Sequence, residues 1–156
     1  MNPKQILIVS AAKHSGKTTR LIHWCQDRND VFGILTPVVD GRRVFVDAHT
    51  KETFRMEATE TETSILEVGK YRFSKASFAR ASSIMLDALQ QENGFLIIDE
   101  IGPLELRGSG FSETITRILE DERNGVEIII VVREELLEQV IRRFGLDRFT
   151  VRQMVL

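Results

Sequence analysis

Cysteine is nearly absent from this chain: Cys25 is the only one among 156 residues. That excludes a disulfide framework and a cysteine-rich zinc site. Cys25 falls on the apolar face of a predicted helix, which points to a buried free thiol. Long apolar runs are missing too. None approaches the roughly 20 residues needed to span a bilayer, and the opening Met-Asn-Pro-Lys-Gln lacks a signal peptide's apolar segment. The expected setting is reduced, cytoplasmic and away from membranes. Charge of one sign is equally scarce: 21 basic against 23 acidic residues leave a formal net of −2. No basic excess is available for a nucleic-acid backbone, and no protein partner is specified. There is no internal repeat and no low-complexity segment. The length suits one domain, spanning 1–156.

What the chain does have is concentrated at two places. The first is Ser10 to Thr19, reading Ser-Ala-Ala-Lys-His-Ser-Gly-Lys-Thr-Thr. It follows the apolar run Ile6 to Val9 and precedes a predicted helix from Thr18 to about Arg28. Strand, loop and helix in that order are the context a phosphate-binding loop requires. Backbone N–H groups of such a loop, with the helix's positive end, surround a phosphate. The expected phosphate contacts are Ala11, Ala12, Lys13, His14, Ser15, Gly16, Lys17, Thr18 and Thr19. Lys17 would reach β- and γ-phosphate oxygens, and the Thr18 hydroxyl would ligate Mg²⁺. Gly16 would let the backbone pass close to the phosphate. Ala11 stands where G-x-x-x-x-G-K-[ST] has its first glycine, so the loop either turns there with ordinary dihedrals or is strained. His14 is expected to be a spacer turned toward water.

The second place is Phe95 to Glu100, a wholly apolar run ending in Asp99 and Glu100. It reads as a buried parallel strand that delivers a carboxylate to the sheet's rim. Asp99 would hold the Mg²⁺ and Glu100 would polarise an attacking water. Adjacent strand residues face opposite ways, so both acids serve one site only if the strand has ended by Glu100. Ile101-Gly102-Pro103 suggests that it has.

Between and beyond these, Val31 to Val39 reads as strand, broken at Thr36-Pro37. Asp40-Gly41 is a two-residue hairpin signal, followed by strand Arg43 to Val46 and a possible third strand, Lys51 to Met56. Ala58 to Gly69 reads as a surface connection, and Tyr71 to Phe73 leads into a helix near Ser74. Gly102 to Gly110 reads as a loop. A helix carrying Phe111, Ile115, Ile118 and Leu119 stops at Asn124-Gly125. Glu127 to Val132 is a second buried strand, a helix ends at Gly145, and Phe149 to Val155 makes an edge strand. Strands alternating with helices specify a parallel sheet covered on both faces. Ligands in such sheets bind beyond the strands' carboxyl ends, where the loop, Asp99-Glu100 and Arg133 should meet.

Four blocks occur in order: the degenerate phosphate loop, Gly41-Arg-Arg-Val-Phe45, Val68-Gly-Lys-Tyr71, and Asp99-Glu-Ile-Gly-Pro-Leu-Glu-Leu106. Together they resemble the cancer-related and thermophile nucleoside-triphosphatase family, over roughly Ile6 to Leu119. The resemblance implies a P-loop NTPase three-layer α/β sandwich with a RecA-like core. It would be a mostly parallel sheet with helices on both faces and an antiparallel hairpin addition around residues 31–56. It also implies Mg²⁺-dependent hydrolysis of nucleoside triphosphates, ATP or GTP included, with weak base selectivity, and roles for Lys17, Thr18, Asp99 and Glu100. Pro103 and Leu104 replace the family's usual lysine and methionine, and the tail does not clearly match the family's last segment.

Several residues keep two readings. Arg133 either neutralises charge on the γ-phosphate as a catalytic group or pairs with Glu134-Glu135. Arg42 and Arg43 are either solvated or phosphate contacts, and Tyr71 packs in the core or stacks on a base. Glu105 is expected to order the glycine-rich loop, while His23 and His49 lack partners at metal-ligand spacing. The alternatives to a hydrolase are a small-molecule kinase and a nucleotide-binding accessory of the molybdenum-cofactor adaptor type. The absence of arginine from Ala58 to Gly69 argues against the kinase, and Glu100 argues against the adaptor.

Overall fold

The computed structural model describes residues 3–12 and 15–156. The apolar run at the start forms β1 (Gln5–Ala11), and the segment after the phosphate loop forms α1 (Lys17–Cys25). Next come β2 (Val31–Leu35), β3 (Val38–Val39), β4 (Arg42–Asp47) and β5 (Thr53–Arg55). A hairpin of β6 (Ile65–Val68) and β7 (Tyr71–Ser74) leads into α2 (Lys75–Asp87). Then follow β8 (Phe95–Ile101), α3 (Pro103–Leu106), α4 (Ser112–Glu120), β9 (Glu127–Arg133), α5 (Leu137–Phe144) and β10 (Thr150–Gln153).

The main sheet runs in the order β10-β1-β9-β8-β2-β4-β3, with β5 on β4. From β10 to β2 every pairing is parallel. The antiparallel addition lies where it was expected, around residues 31–56: β4 pairs antiparallel with β2, β3 and β5, while β2 also pairs parallel with β8. Proline ends β2 at the anticipated place, and Asp40 and Gly41 take φ of 52° and 77° in the two-residue turn between β3 and β4.

β8 and β9 are apolar on both faces because both faces are covered. Leu96, Ile98, Ile128, Ile130 and Val132 pack with Phe78, Met85, Ile115, Ile118, Val140 and Phe144 from α2, α4 and α5. Ile97, Ile129 and Val131 pack on the other side with Leu21 and Cys25. One helix, α1, covers that second face through positions i and i+4. Burying such an aliphatic side chain contributes roughly 1.5–3 kcal/mol.

Three expectations are corrected. The stretch 58–69 is not simply a connection: its end forms β6, which pairs with β7 from Ile65↔Ser74 to Val68↔Tyr71. The glycine-rich loop contains α3, started by Pro103, whose missing N–H and fixed φ suit a first helical position. And β8 does not end before Glu100. Asp99 pairs with Val131 and Ile101 with Val132, so Glu100 is an extra residue in a bulge. The bulge restores parity, returning Ile101 to the core that holds Ile98.

Candidate active site

The strand order explains the convergence. β1 delivers the phosphate loop and β8 the two acids, and β9 lies between them, with Ala11 in register with Arg133. Ala11 closes β1 with ordinary dihedrals, since among the described residues only Asp40 and Lys51 combine a side chain with positive φ. The Ser15 N–H then donates to the Ala12 carbonyl at 3.2 Å. Gly16 takes φ 83° at the start of α1, and a Cβ there would meet no protein atom within 4 Å. The conformation, rather than crowding from the protein, calls for glycine at this point. Lys13 and His14, expected in the loop, lie outside the described residues.

Lys17 is 6% exposed, with its Nζ 3.4 Å from the Ala12 carbonyl and 3.9 Å from Glu100 Oε2. The Thr18 hydroxyl donates to Asp99 Oδ2 at 3.1 Å, and the Thr36 N–H donates to the same oxygen at 3.0 Å. Thr36 carried no signal in the sequence, because its contribution is a backbone donor supplied where Pro37 terminates β2. Burial pushes the Asp99 carboxyl up to about 6; the Thr36 and Thr18 donors pull against that, and the charge of Glu100 adds to it. On the other side of Glu100, Arg133 Nε stands 3.9 Å from Oε1, and Arg133 also lies 3.7 Å from Glu135. The pairing reading of Arg133 is met through Glu135, and Glu100 is a second carboxylate beside the same guanidinium.

Glu105 orders the loop that follows. Its Oε1 accepts from Gly102 N–H at 2.8 Å and its Oε2 from Phe111 N–H at 3.0 Å, clasping both ends. Burial pushes its carboxyl up to about 7, against the pull of these two donors. Gly110, at φ 58°, is held so close that a Cβ would strike this carboxylate.

These groups line one open cavity of about 630 Å³. Arg43 reaches its wall, whereas Arg42 is exposed at the hairpin end and does not. Tyr71 is no core residue: it lines the cavity at 42% exposure, its ring stacked on Phe73 at 5.8 Å between centroids. Cys25 is buried, and that burial raises its thiol to about 11. His49 stacks on Phe32 at 4.6 Å, with Nδ1 3.1 Å from the Val31 carbonyl.

Thr18 and Asp99 bring hard oxygen donors together, and no cluster of three His, Cys, Asp or Glu residues among those described could form a metal cage. That sparse oxygen set fits Mg²⁺, which retains waters and takes phosphate oxygens as ligands.

A model of the NTPase family matches residues 6–154. The chain belongs to this family, in its cancer-related and thermophile nucleoside-triphosphatase branch. The match runs well past Leu119, so the tail is family sequence and the expected divergence there is corrected. The chain is 27% identical over 154 residues to the nucleoside-triphosphatase THEP1 of Methanothermobacter thermautotrophicus, covering 93% of this chain and 86% of that one. It is also 27% identical over 86 residues to THEP1 of Thermotoga petrophila, covering 55% of this chain and 48% of that one. The fold superposes on the crystal structure of THEP1 from Aquifex aeolicus with a TM-score of 0.68 at 20% identity, covering 96% of this chain and 88% of that chain. It superposes on the solution structure of a human cancer-related nucleoside triphosphatase with a TM-score of 0.65 at 20% identity, covering 97% and 89%. The three-layer α/β architecture expected from sequence is the family fold.

Proposed function

We propose that this NTPase hydrolyses nucleoside triphosphates to the diphosphate and phosphate, with Mg²⁺ and with little preference among bases. The observation that carries the reading is convergence. Thr18 meets Asp99 at 3.1 Å while Lys17 and Glu100 approach to 3.9 Å, on one rim of one cavity.

The loop N–H groups and the amino end of α1 bind the phosphate chain. Lys17 Nζ, held now between a carbonyl and a carboxylate, turns to the β- and γ-oxygens and stabilises charge as the phosphoryl group transfers. Thr18 and Asp99 would hold Mg²⁺, which when bound supplies further neutralisation of the phosphate charge. Glu100, freed from Lys17, orients the attacking water and accepts its proton. Arg133 swings from Glu100 toward the γ-phosphate. Broad base selectivity follows the family resemblance, and the nucleotide panel below tests it. The reading places the protein in the cytoplasm, where its substrate and Mg²⁺ are abundant. No helix among the described residues is long and apolar enough to cross a membrane.

The test is Glu100→Gln, followed by phosphate release over ATP, GTP, CTP and UTP, with Lys17→Ala as the blank. Turnover should fall by about 10²–10⁴ while Mg²⁺–nucleotide binding survives. Unchanged turnover removes Glu100 from the mechanism, whereas nucleotide binding with negligible turnover in the wild type returns the adaptor alternative.

A further inference from the structure

The cavity is larger than a phosphate tail and a water require. A water occupies about 30 Å³, whereas the cavity measures about 630 Å³, within the range of small-molecule sites. Its surplus lies in one direction. Across the sheet the site proceeds from the phosphate loop on β1, through Arg133 on β9 and the acids on β8, to Thr36 after β2 and Arg43 on β4. Lys17 and Glu100 mark the γ-phosphate end of the substrate, so whatever lies over β4 and the β6–β7 hairpin is beyond that phosphate. The triphosphate's own base, joined through the α-phosphate, must extend the other way.

That far wall is built of rings. Phe111 stacks on Phe78 at 4.6 Å, Phe78 meets Phe73 at 6.0 Å, and Phe73 stacks parallel to Tyr71 at 5.8 Å. The first three are buried, and Tyr71 presents the exposed end of the series to the cavity. Two cations share this wall. Among the described residues neither makes a salt bridge, although the Arg43 charge acts at a distance on the Asp99 carboxylate; the Lys70 ammonium lies over the Tyr71 ring at 5.4 Å. A ring 42% exposed at the rim, with two cations on the same wall, suits a ligand that joins a flat ring to an anion.

We propose that this half of the cavity is a second small-molecule site, taking a nucleoside 5′-monophosphate with its base on Tyr71 and its phosphate toward Arg43 and Lys70. It rests on the hydrolase reading for the direction of the triphosphate. The site is separate from the one that holds the hydrolysed nucleotide, and both can be filled together.

The experiment is calorimetric titration of AMP, GMP, CMP and UMP into protein saturated with Mg²⁺ and β,γ-imido-ATP, and into protein without them. At least one monophosphate should bind one-to-one without displacing the imido analogue. Tyr71→Ala should weaken that binding at least tenfold, the scale of a lost stacking contact. It should leave triphosphate hydrolysis, measured without monophosphate, within twofold. Competition between the monophosphate and the analogue would overturn the proposal, making the ring wall the substrate's own base site. Absence of binding by all four, or binding indifferent to Tyr71→Ala, would overturn it as well. Failure of the hydrolase reading appears separately, as wild-type phosphate release no greater than that of the Lys17→Ala blank; the titration without analogue then still decides whether Tyr71 carries a ligand.

Discussion

Thr18 and Asp99 stand 81 positions apart in sequence, and the hydroxyl of one donates to the carboxylate of the other over 3.1 Å. Two distant stretches thereby share one pair of hydrogen-bonded oxygens. Removing the hydroxyl while keeping the helix should expose the metal requirement. Thr18→Ala is expected to raise the Mg²⁺ concentration for half-maximal turnover at least tenfold at fixed ATP, and Thr18→Ser should restore it. A Mg²⁺ titration of phosphate release is the check.

Arg133 faces Glu100 and Glu135 at once, so its deletion removes a cation from both carboxylates and, on the proposed mechanism, from the transferring phosphate. Arg133→Ala should reduce kcat by about 10² or more, approaching the lower end of what arginine fingers supply. Nucleoside diphosphate affinity should change little if the arginine acts on the γ-phosphate as proposed. Single-turnover kinetics paired with diphosphate titration separates the two effects.

Glu105 is 4% exposed and its carboxyl is pushed up to about 7 from an ordinary 4.5. The folded state therefore binds the proton more tightly than the unfolded chain. Stability associated with this group is fully present below about pH 4.5 and is lost as pH rises through 7. Glu105→Gln cannot titrate, although it gives up one of the two N–H acceptors. The stability advantage of wild type over Glu105→Gln should thus shrink between pH 5 and pH 8, by about 3 kcal/mol at most. Chemical denaturation of both proteins at the two pH values measures it.

Two glycines with positive φ should behave differently. At Gly33, φ 97°, a Cβ would collide with the Ile97 backbone between the paired strands β2 and β8. Gly33→Ala should cost upwards of about 3 kcal/mol, combining strain with overpacking. Gly16→Ala meets no protein atom and should cost only the left-handed penalty of roughly 1–2 kcal/mol. Nucleotide binding should nevertheless fall sharply there. Thermal melts with and without Mg²⁺–ATP distinguish the two substitutions.

The parts of the fold that were legible share a cause. β8 and β9 are buried on both faces and must be apolar throughout, while Lys17, Thr18, Asp99 and Glu100 sit in a spacing that phosphate chemistry constrains. The Asp40-Gly41 turn was readable because few residues tolerate its dihedrals. The β6 strand was not, since it pairs only with β7 and its Thr/Glu-rich approach shows no face. The bulge at Glu100 was also hidden: it depends on β9 registering Val131 and Val132 against Asp99 and Ile101, a relation between strands. Tyr71 kept two readings, core or base stacking, because its side depends on the β6–β7 pairing; the hairpin turn at Gly69-Lys70 brings it to the cavity rim.

α1 does two jobs from opposite sides of one cylinder. Leu21 and Cys25 seal the smaller apolar layer, and Lys17 and Thr18 at its amino end grasp the anion. Since α1 is the one helix among the described residues that packs in that layer, the placement of Thr18 against Asp99 and the covering of the sheet's thinner side depend on the same element. A substitution that shifts α1 would therefore disturb its amino-end contacts and the packing over Ile129 and Val131 together.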